Sequence, residues 1–402
     1  MTPPLLPARE AQRLALLKFP LIVLVVMIHA YEPVVGLQDH AVGYLGGEVS
    51  QWLRFVVSQG LGRVAVPLFF LMAGYFFFLG WHGDAAGLFK RWRSRVHSLL
   101  LPFLFWNTVA LLVLWLVQEL PWFSAYITGQ KARIAGLSWY GWLNTMVGLE
   151  QRPAAYQFWF IRDLMVLALL APVWRPVLAR PVWAWRLLAA QALLWLLNWQ
   201  PFLFPAPEAT LFFCTGAWVA TVGRSLFALD RFAAAAGVVF LLSMAALASI
   251  PWTPEHQPEL LALFRVNLLL GSVAVLGLSA LIPSGSAALQ RLLALGVASF
   301  FVFAVHEPLL SVLRKVAFSL FRPSSEAAIL ALYVALPALT IVLALLAYSA
   351  LQRVAPAFLG VVSGGRSPLP QAPAAQSPAS SASTPAPSST PSTSNPSHKA
   401  TP

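Results

Sequence analysis

Apolar stretches of membrane-spanning length recur along the chain, separated by short loops in which the charged residues collect. Ten such runs, at 14–31, 55–79, 99–117, 158–178, 184–199, 209–222, 232–250, 260–281, 292–313 and 327–351, approach or exceed the length needed to cross about 30 Å of hydrocarbon as a helix. The run at 209–222 is the shortest. None alternates with the period of a strand, and backbone groups facing lipid must be satisfied within their own segment, so the pattern predicts an all-α, polytopic membrane protein. From about residue 360 the pattern ends in Pro, Ser, Ala and Thr. Such a segment buries too little surface to offset its ordering entropy, so 1–359 reads as the transmembrane domain and 360–402 as a disordered cytoplasmic tail. No internal repeat is evident, and the two halves lack the matched, interrupted spans of inverted-repeat transporters.

Composition agrees with this class. Hydrophobic residues make up 59% of 402, charged residues only 10%, and mean hydropathy is +0.73, a balance that no soluble core of this size needs. With the N-terminus inside, Arg9, Arg13, Lys18, Lys90, Arg91, Arg93, Arg95, Arg175, Arg180, Arg186, Arg224, Arg231, Arg291 and Arg353 fall on or near the cytoplasmic side. Glu32, Asp39, Glu48, Glu208, Glu255 and Glu259 fall in the external loops. The loop with Arg314, Lys315 and Arg322 breaks this rule. The formal charge of +12 is thereby explained by topology and by contact with anionic lipid or ligand, and nothing asks for a nucleic acid. Three cations precede the first run, but no small-residue cleavage site follows His29, so that run reads as a retained span. Cys214, the single cysteine, sits in an apolar stretch as a small buried hydrophobe.

A few ionisable residues change the picture from membrane protein to candidate site. Lys18 and His29 are eleven residues apart, within about 20° of whole helical turns, so they share one face with about 16 Å of axial separation. That puts a cation at one membrane surface and an imidazole near mid-bilayer, where ionisable groups cost several kcal/mol unless they face a bundle interior or cavity. Arg63 precedes Pro67, which should bend the second span, and Gly74, which permits close backbone approach. Arg162 and Asp163 stand at the outer end of the fourth span, as an interfacial ion pair or as site residues. His306 and Glu307, followed by Pro308, offer a second wall of polar groups at the same level. The run of Lys90, Arg91, Arg93 and Arg95 is a positive-inside anchor that also matches phosphate geometry. No residues are assigned to a metal.

These residues together resemble the membrane acyltransferase 3 family. The family's signature of a basic residue, a ten-residue gap and a histidine is similar to Lys18 through His29. The second-span segment at 66–75, the basic run ending in Pro102, the segment at 159–164 and the segment at 299–308 resemble later landmarks of the family in the same order. Two departures stand out: Ala73 occupies a position that is often Ser, which excludes a serine nucleophile there, and Lys18 replaces a frequent Arg, keeping the charge without the planar fork.

The resemblance implies an integral membrane acyltransferase, with no permanently bound cofactor, that moves an acetyl or other short acyl group from cytoplasmic acyl-CoA to a hydroxyl of a cell-envelope glycan or lipid-linked sugar. It implies a bacterial inner membrane. Lys18, with Arg91, Arg93 or Arg95, would then hold the coenzyme's phosphates. His29 would take the proton of the attacking sugar hydroxyl, either directly or by way of an acyl-histidine intermediate. Arg63 or Arg162 would stabilise the oxyanion, and His306 or Asp163 would orient the acceptor. The alternative reading is a non-catalytic carrier or flippase in which the same charges line a solute pathway.

Overall fold

The computed structural model describes residues 6–37, 40–43, 47–120, 133–201 and 203–365. Part of the external segment expected at 118–157, at 121–132, and most of the expected tail, at 366–402, lie outside the described residues. The chain is all-α and polytopic, with one small hairpin. Among the described residues, seven helices are long and apolar enough to cross a membrane: Ala8–His29, Glu48–Phe78, Ala85–Glu119, Asp230–Ser249, Gln257–Leu281, Ala287–Phe321 and Glu326–Val354. The remaining three apolar runs fold into shorter helices, namely Trp159–Leu169 with Ala171–Leu178, then Pro181–Leu196, then Pro207–Thr221.

Prolines explain most of the irregularities. Pro67 has no N–H for the carbonyl of Arg63, and its ring would crowd that carbonyl. The helix answers upstream, with a widened π turn at Phe55–Leu61 and a tightened turn at Gly62–Val64 before regular helix resumes at Ala65–Phe78. The same device precedes Pro102: a π turn at Val96–Leu100 separates Ala85–Arg95 from Leu101–Glu119. Pro172 ends the Trp159–Leu169 segment, and the carbonyl of Ala168, which Pro172 cannot reach, accepts Trp92 Nε1 at 2.9 Å. Pro20 lies well inside the first helix, since that helix begins at Ala8.

The Ala8–His29 helix packs along Ala287–Phe321, which in turn packs on Glu326–Val354. Ala65–Phe78 packs on Pro207–Thr221 through glycines on both sides. The core between them is rich in phenylalanine: Phe70 and Phe160 lie 4.6 Å apart between ring centroids, and Phe158 and Phe303 5.3 Å. At the His29 end, Val34–Leu37 and His40–Gly43 form an antiparallel hairpin with Val35 opposite Val42, and Val35 is buried in the main core. Its four-residue strands lie in a loop between spans, where the apolar pattern was too brief to mark them.

Two expectations are refined by the helix lengths. Ala287–Phe321 runs 35 residues, about 52 Å, so it outlasts the hydrocarbon and carries Arg314 and Lys315 on its extension. The cation-rich loop that broke the charge rule is thus largely helix, and Arg314 turns inward, donating to the carbonyl of His29 at 3.3 Å. The expected domain boundary at residue 360 falls within a short helix, Pro356–Val362. Its Leu359 and Val362 pack with Ala298, Phe301 and Tyr348.

Candidate functional site

At the C-terminal end of the first helix, eleven residues past Lys18, three elements meet. His29 is the last residue of Ala8–His29, and the backbone there frays into a C-terminal turn. His306 and Glu307 lie mid-helix in Ala287–Phe321, just before the internal Pro308. Tyr156 opens the single turn Tyr156–Phe158 that leads into Trp159–Leu169. Its neighbours are tied down: Ala155 N–H donates to Asn107 Oδ1 at 3.0 Å, and Gln157 Nε2 donates to the carbonyl of Ala304 at 3.0 Å.

These anchors bring the chemistry together. Tyr156 Oη lies 2.9 Å from His29 Nδ1 and donates its hydrogen to Glu307 Oε1. Ser311 Oγ, one turn on, donates to the same carboxylate oxygen at 3.2 Å. The ring of His306 stands 5.1 Å from that of His29, centroid to centroid, tilted at 54°. His306 is fully buried, its Nδ1 bonds the carbonyl of Phe303 at 2.6 Å, and its Nε2 has no hydrogen-bond partner. The charges that act on His29 come from Arg63, Arg314 and Arg152. Arg63 projects from the distorted turn of Glu48–Phe78 and donates Nε to Gln59 Oε1 at 2.9 Å. An imidazole held by a phenol, faced by a second imidazole and surrounded by guanidinium groups is equipped to accept a proton and to stabilise developing negative charge.

The other sequence-selected residues fall elsewhere. Arg162 and Asp163 are buried together, with Nη2 to Oδ1 at 3.0 Å. Arg162 also donates to the carbonyls of Gly148 and Gln151 at 2.5 and 3.2 Å, and its guanidinium carbon stands 4.2 Å over the ring of Phe204. Asp163 Oδ2 accepts the N–H of Ala206 at 2.9 Å. The pair therefore pins two loops to the Trp159–Leu169 helix, and none of these bonds reaches His29. Lys18 is exposed, one helix face from Gly296 on Ala287–Phe321. Arg91 donates to the carbonyls of Phe77, Leu79 and Gly87 at 2.7, 3.0 and 3.2 Å, closing the C-terminal end of Glu48–Phe78. Arg93 is exposed, and Arg95 lies 5.7 Å over Phe77. Cys214 is buried, 3.6 Å from Gln191 Nε2.

Tyr156 and Gln157 carried no sequence signal of their own. Tyr156 stands three residues before Trp159, where one more aromatic in an aromatic stretch draws no attention. Arg314 was visible only as an anomaly of charge placement, and the structure shows it half-buried and bonded to the carbonyl of His29.

Comparison with known proteins gives this geometry its context. The chain is similar to the succinoglycan biosynthesis protein ExoH of Rhizobium meliloti (strain 1021), with 25% identity over 318 residues, which covers 78% of this chain and 82% of that protein. No solved structure matches the chain. A family model described as an acyltransferase domain matches residues 12–349, a stretch that contains Lys18, His29, Tyr156, His306 and Glu307, and the chain belongs to that acyltransferase 3 family.

Proposed function

We propose that the protein is an acyltransferase of a bacterial inner membrane that moves an acetyl or other short acyl group from cytoplasmic acyl-CoA to a hydroxyl of an extracytoplasmic polysaccharide or lipid-linked sugar. The observation that carries the reading is the pairing of His29 with His306 at the C-terminal end of a helix that bears Lys18 eleven residues earlier. Lys18, with Arg93 and Arg95, meets the coenzyme's phosphates, and Arg91 ties the helix that carries those two arginines to the C-terminal end of Glu48–Phe78. The pantetheine arm then follows the first helix toward His29, a distance of about 16 Å along the axis. The relative's role in succinoglycan biosynthesis supports a carbohydrate acceptor.

In the transfer, the sugar oxygen attacks the thioester carbonyl carbon while His29 takes its proton. Arg63 or Arg314 stabilises the oxyanion of the tetrahedral intermediate. The C–S bond then breaks, and the thiolate leaves with the proton that His29 returns. His306, whose Nε2 is a buried acceptor without a partner, takes the hydrogen of a neighbouring hydroxyl of the same sugar and so orients the acceptor before attack. Arg162 and Asp163 serve by holding the loops around the entrance.

The test is acyl transfer by purified protein in liposomes, with radiolabelled acetyl-CoA on one side and envelope glycan on the other. Thioester cleavage coupled to glycan labelling is the expected result. Movement of label across the bilayer without cleavage would make the protein a carrier. Mass spectrometry of envelope glycans from a deletion strain then names the missing acyl group and its linkage.

A further inference from the structure

We infer that Tyr156 and Glu307 are positioning residues that hold His29 in its Nδ1-protonated tautomer, so that Nε2 is the basic atom offered to the acceptor hydroxyl. This rests on the proposed reading of His29 as the base and adds to it the device that orients the base. Hydrogen counting decides it. The Tyr156 phenol has one hydrogen and donates it to Glu307 Oε1. The phenol oxygen also lies 2.9 Å from His29 Nδ1, and with its hydrogen committed it can only accept there. His29 Nδ1 is therefore the N–H of the pair. A neutral imidazole has a single N–H, so Nε2 carries the lone pair.

The surroundings hold that direction in place. Ser311 Oγ donates to the same oxygen of Glu307, which marks the carboxylate as an acceptor. Tyr156 cannot drift, because Ala155 on one side and Gln157 on the other are hydrogen-bonded to separate helices. His306 is set the same way by a different acceptor: its Nδ1 meets a backbone carbonyl, which can only accept, so its Nε2 also bears a lone pair. Two Nε2 lone pairs on rings 5.1 Å apart cannot bond each other, and what both would take is an incoming O–H donor. When Nε2 of His29 accepts the hydroxyl proton, the imidazolium keeps its Nδ1–H on the phenol oxygen, and the phenol keeps its hydrogen on Glu307. No proton crosses the phenol. The carboxylate opposes the new positive charge across one bridging side chain.

Nitrogen-15 spectra of histidine-labelled protein in nanodiscs test this on the unmodified protein, with His29→Gln used to assign the His29 signals. The expected spectrum is Nδ1 protonated and Nε2 unprotonated. Tyr156→Phe should release His29 toward the Nε2–H form that free imidazole favours in water, and should lower kcat by about 100-fold with coenzyme affinity unchanged. Adding Glu307→Gln to Tyr156→Phe should cost no more than about a further twofold, because the two act as one unit. An Nε2–H signal from His29 in the unmodified protein, or losses that multiply in the double variant, would overturn the inference. Either result leaves the proposed function standing, whereas near-normal turnover by His29→Ala would remove His29 as the base and leave the tautomer assignment intact.

Discussion

The side chain of Gln157 donates to the carbonyl of Ala304, and that carbonyl is the one Pro308 leaves without its helical partner four residues on. A proline kink and a glutamine from a distant loop therefore complete one hydrogen bond, and the join sets Tyr156 beside Glu307. Gln157→Leu should lower stability by about 1 to 3 kcal/mol, the cost of an unmade buried bond. Pro308→Ala restores the missing N–H, so the same leucine in that background should cost much less. Thermal unfolding of the four proteins in one detergent measures the cycle; equal costs in both backgrounds would sink the account.

Gly74 and Gly216 permit backbone contact between Ala65–Phe78 and Pro207–Thr221. A Cβ at Gly74 would lie 2.0 Å from the carbonyl oxygen of Phe213, and one at Gly216 would lie 1.9 Å from that of Leu71. Backbone cannot yield as a flexible side chain can. Alanine at either position should therefore destabilise by at least the roughly 1 to 3 kcal/mol of an overpacked core and reduce the folded yield. Gly360→Ala, with nothing within 4 Å, is the control and should be neutral or mildly stabilising. Size-exclusion profiles after graded heating compare them.

Much of this architecture was legible because hydropathy and proline are local signals. Each apolar run became a helix, and Pro67 marked the span that is distorted, though the distortion fell upstream of it. The site was half legible. Lys18 and His29 announce themselves through periodicity, and His306 with Glu307 through polarity in an apolar run. Tyr156 does not, because its importance lies in the 127 positions of chain folded back to bring it to His29. Arg162 and Asp163 looked like chemistry from sequence since buried charge is costly, yet their bonds are spent on loop carbonyls and an N–H. Sequence gives the cost of burying a charge and not the partners that offset it.

The ordered body extends past residue 360. Trp106 Nε1 donates to the carbonyl of Val362 at 3.0 Å, and Val362 is 1% exposed. A chain ending after Gly365 should transfer acyl groups at the full rate in membranes. One ending after Ala355 should lose about 1 kcal/mol or more of stability with that bond and the packing of Leu359. Reduced activity of the longer truncate at normal expression would assign a role to 366–402.

Orientation has its own test. Charge placement puts residues 90–95 in the cytoplasm and 118–157 outside. Cys214 is buried, and a Cys214→Ala background allows single cysteines at the exposed positions Ser94 and Ser138. An impermeant thiol reagent on intact cells should label position 138 and spare position 94. The reverse pattern would invert the topology and with it the side from which acyl-CoA enters.

Lys18 and His29 should fail in different ways. His29→Ala should lower turnover by about 100- to 10,000-fold while coenzyme binding stays close to normal, since the imidazole acts on the proton in flight and adds little to phosphate affinity. Lys18→Ala should weaken acyl-CoA binding, with the loss partly relieved at high donor concentration and restored by Lys18→Arg. Both residues lie on one continuous helix packed along Ala287–Phe321, so a purely structural role would make both variants lose folded protein together. Coenzyme binding by calorimetry and single-turnover transfer, each on monodisperse samples, separate the outcomes. Near-normal turnover by His29→Ala would remove the base from the mechanism. Parallel loss of folded protein in both variants would return the pair to a packing role.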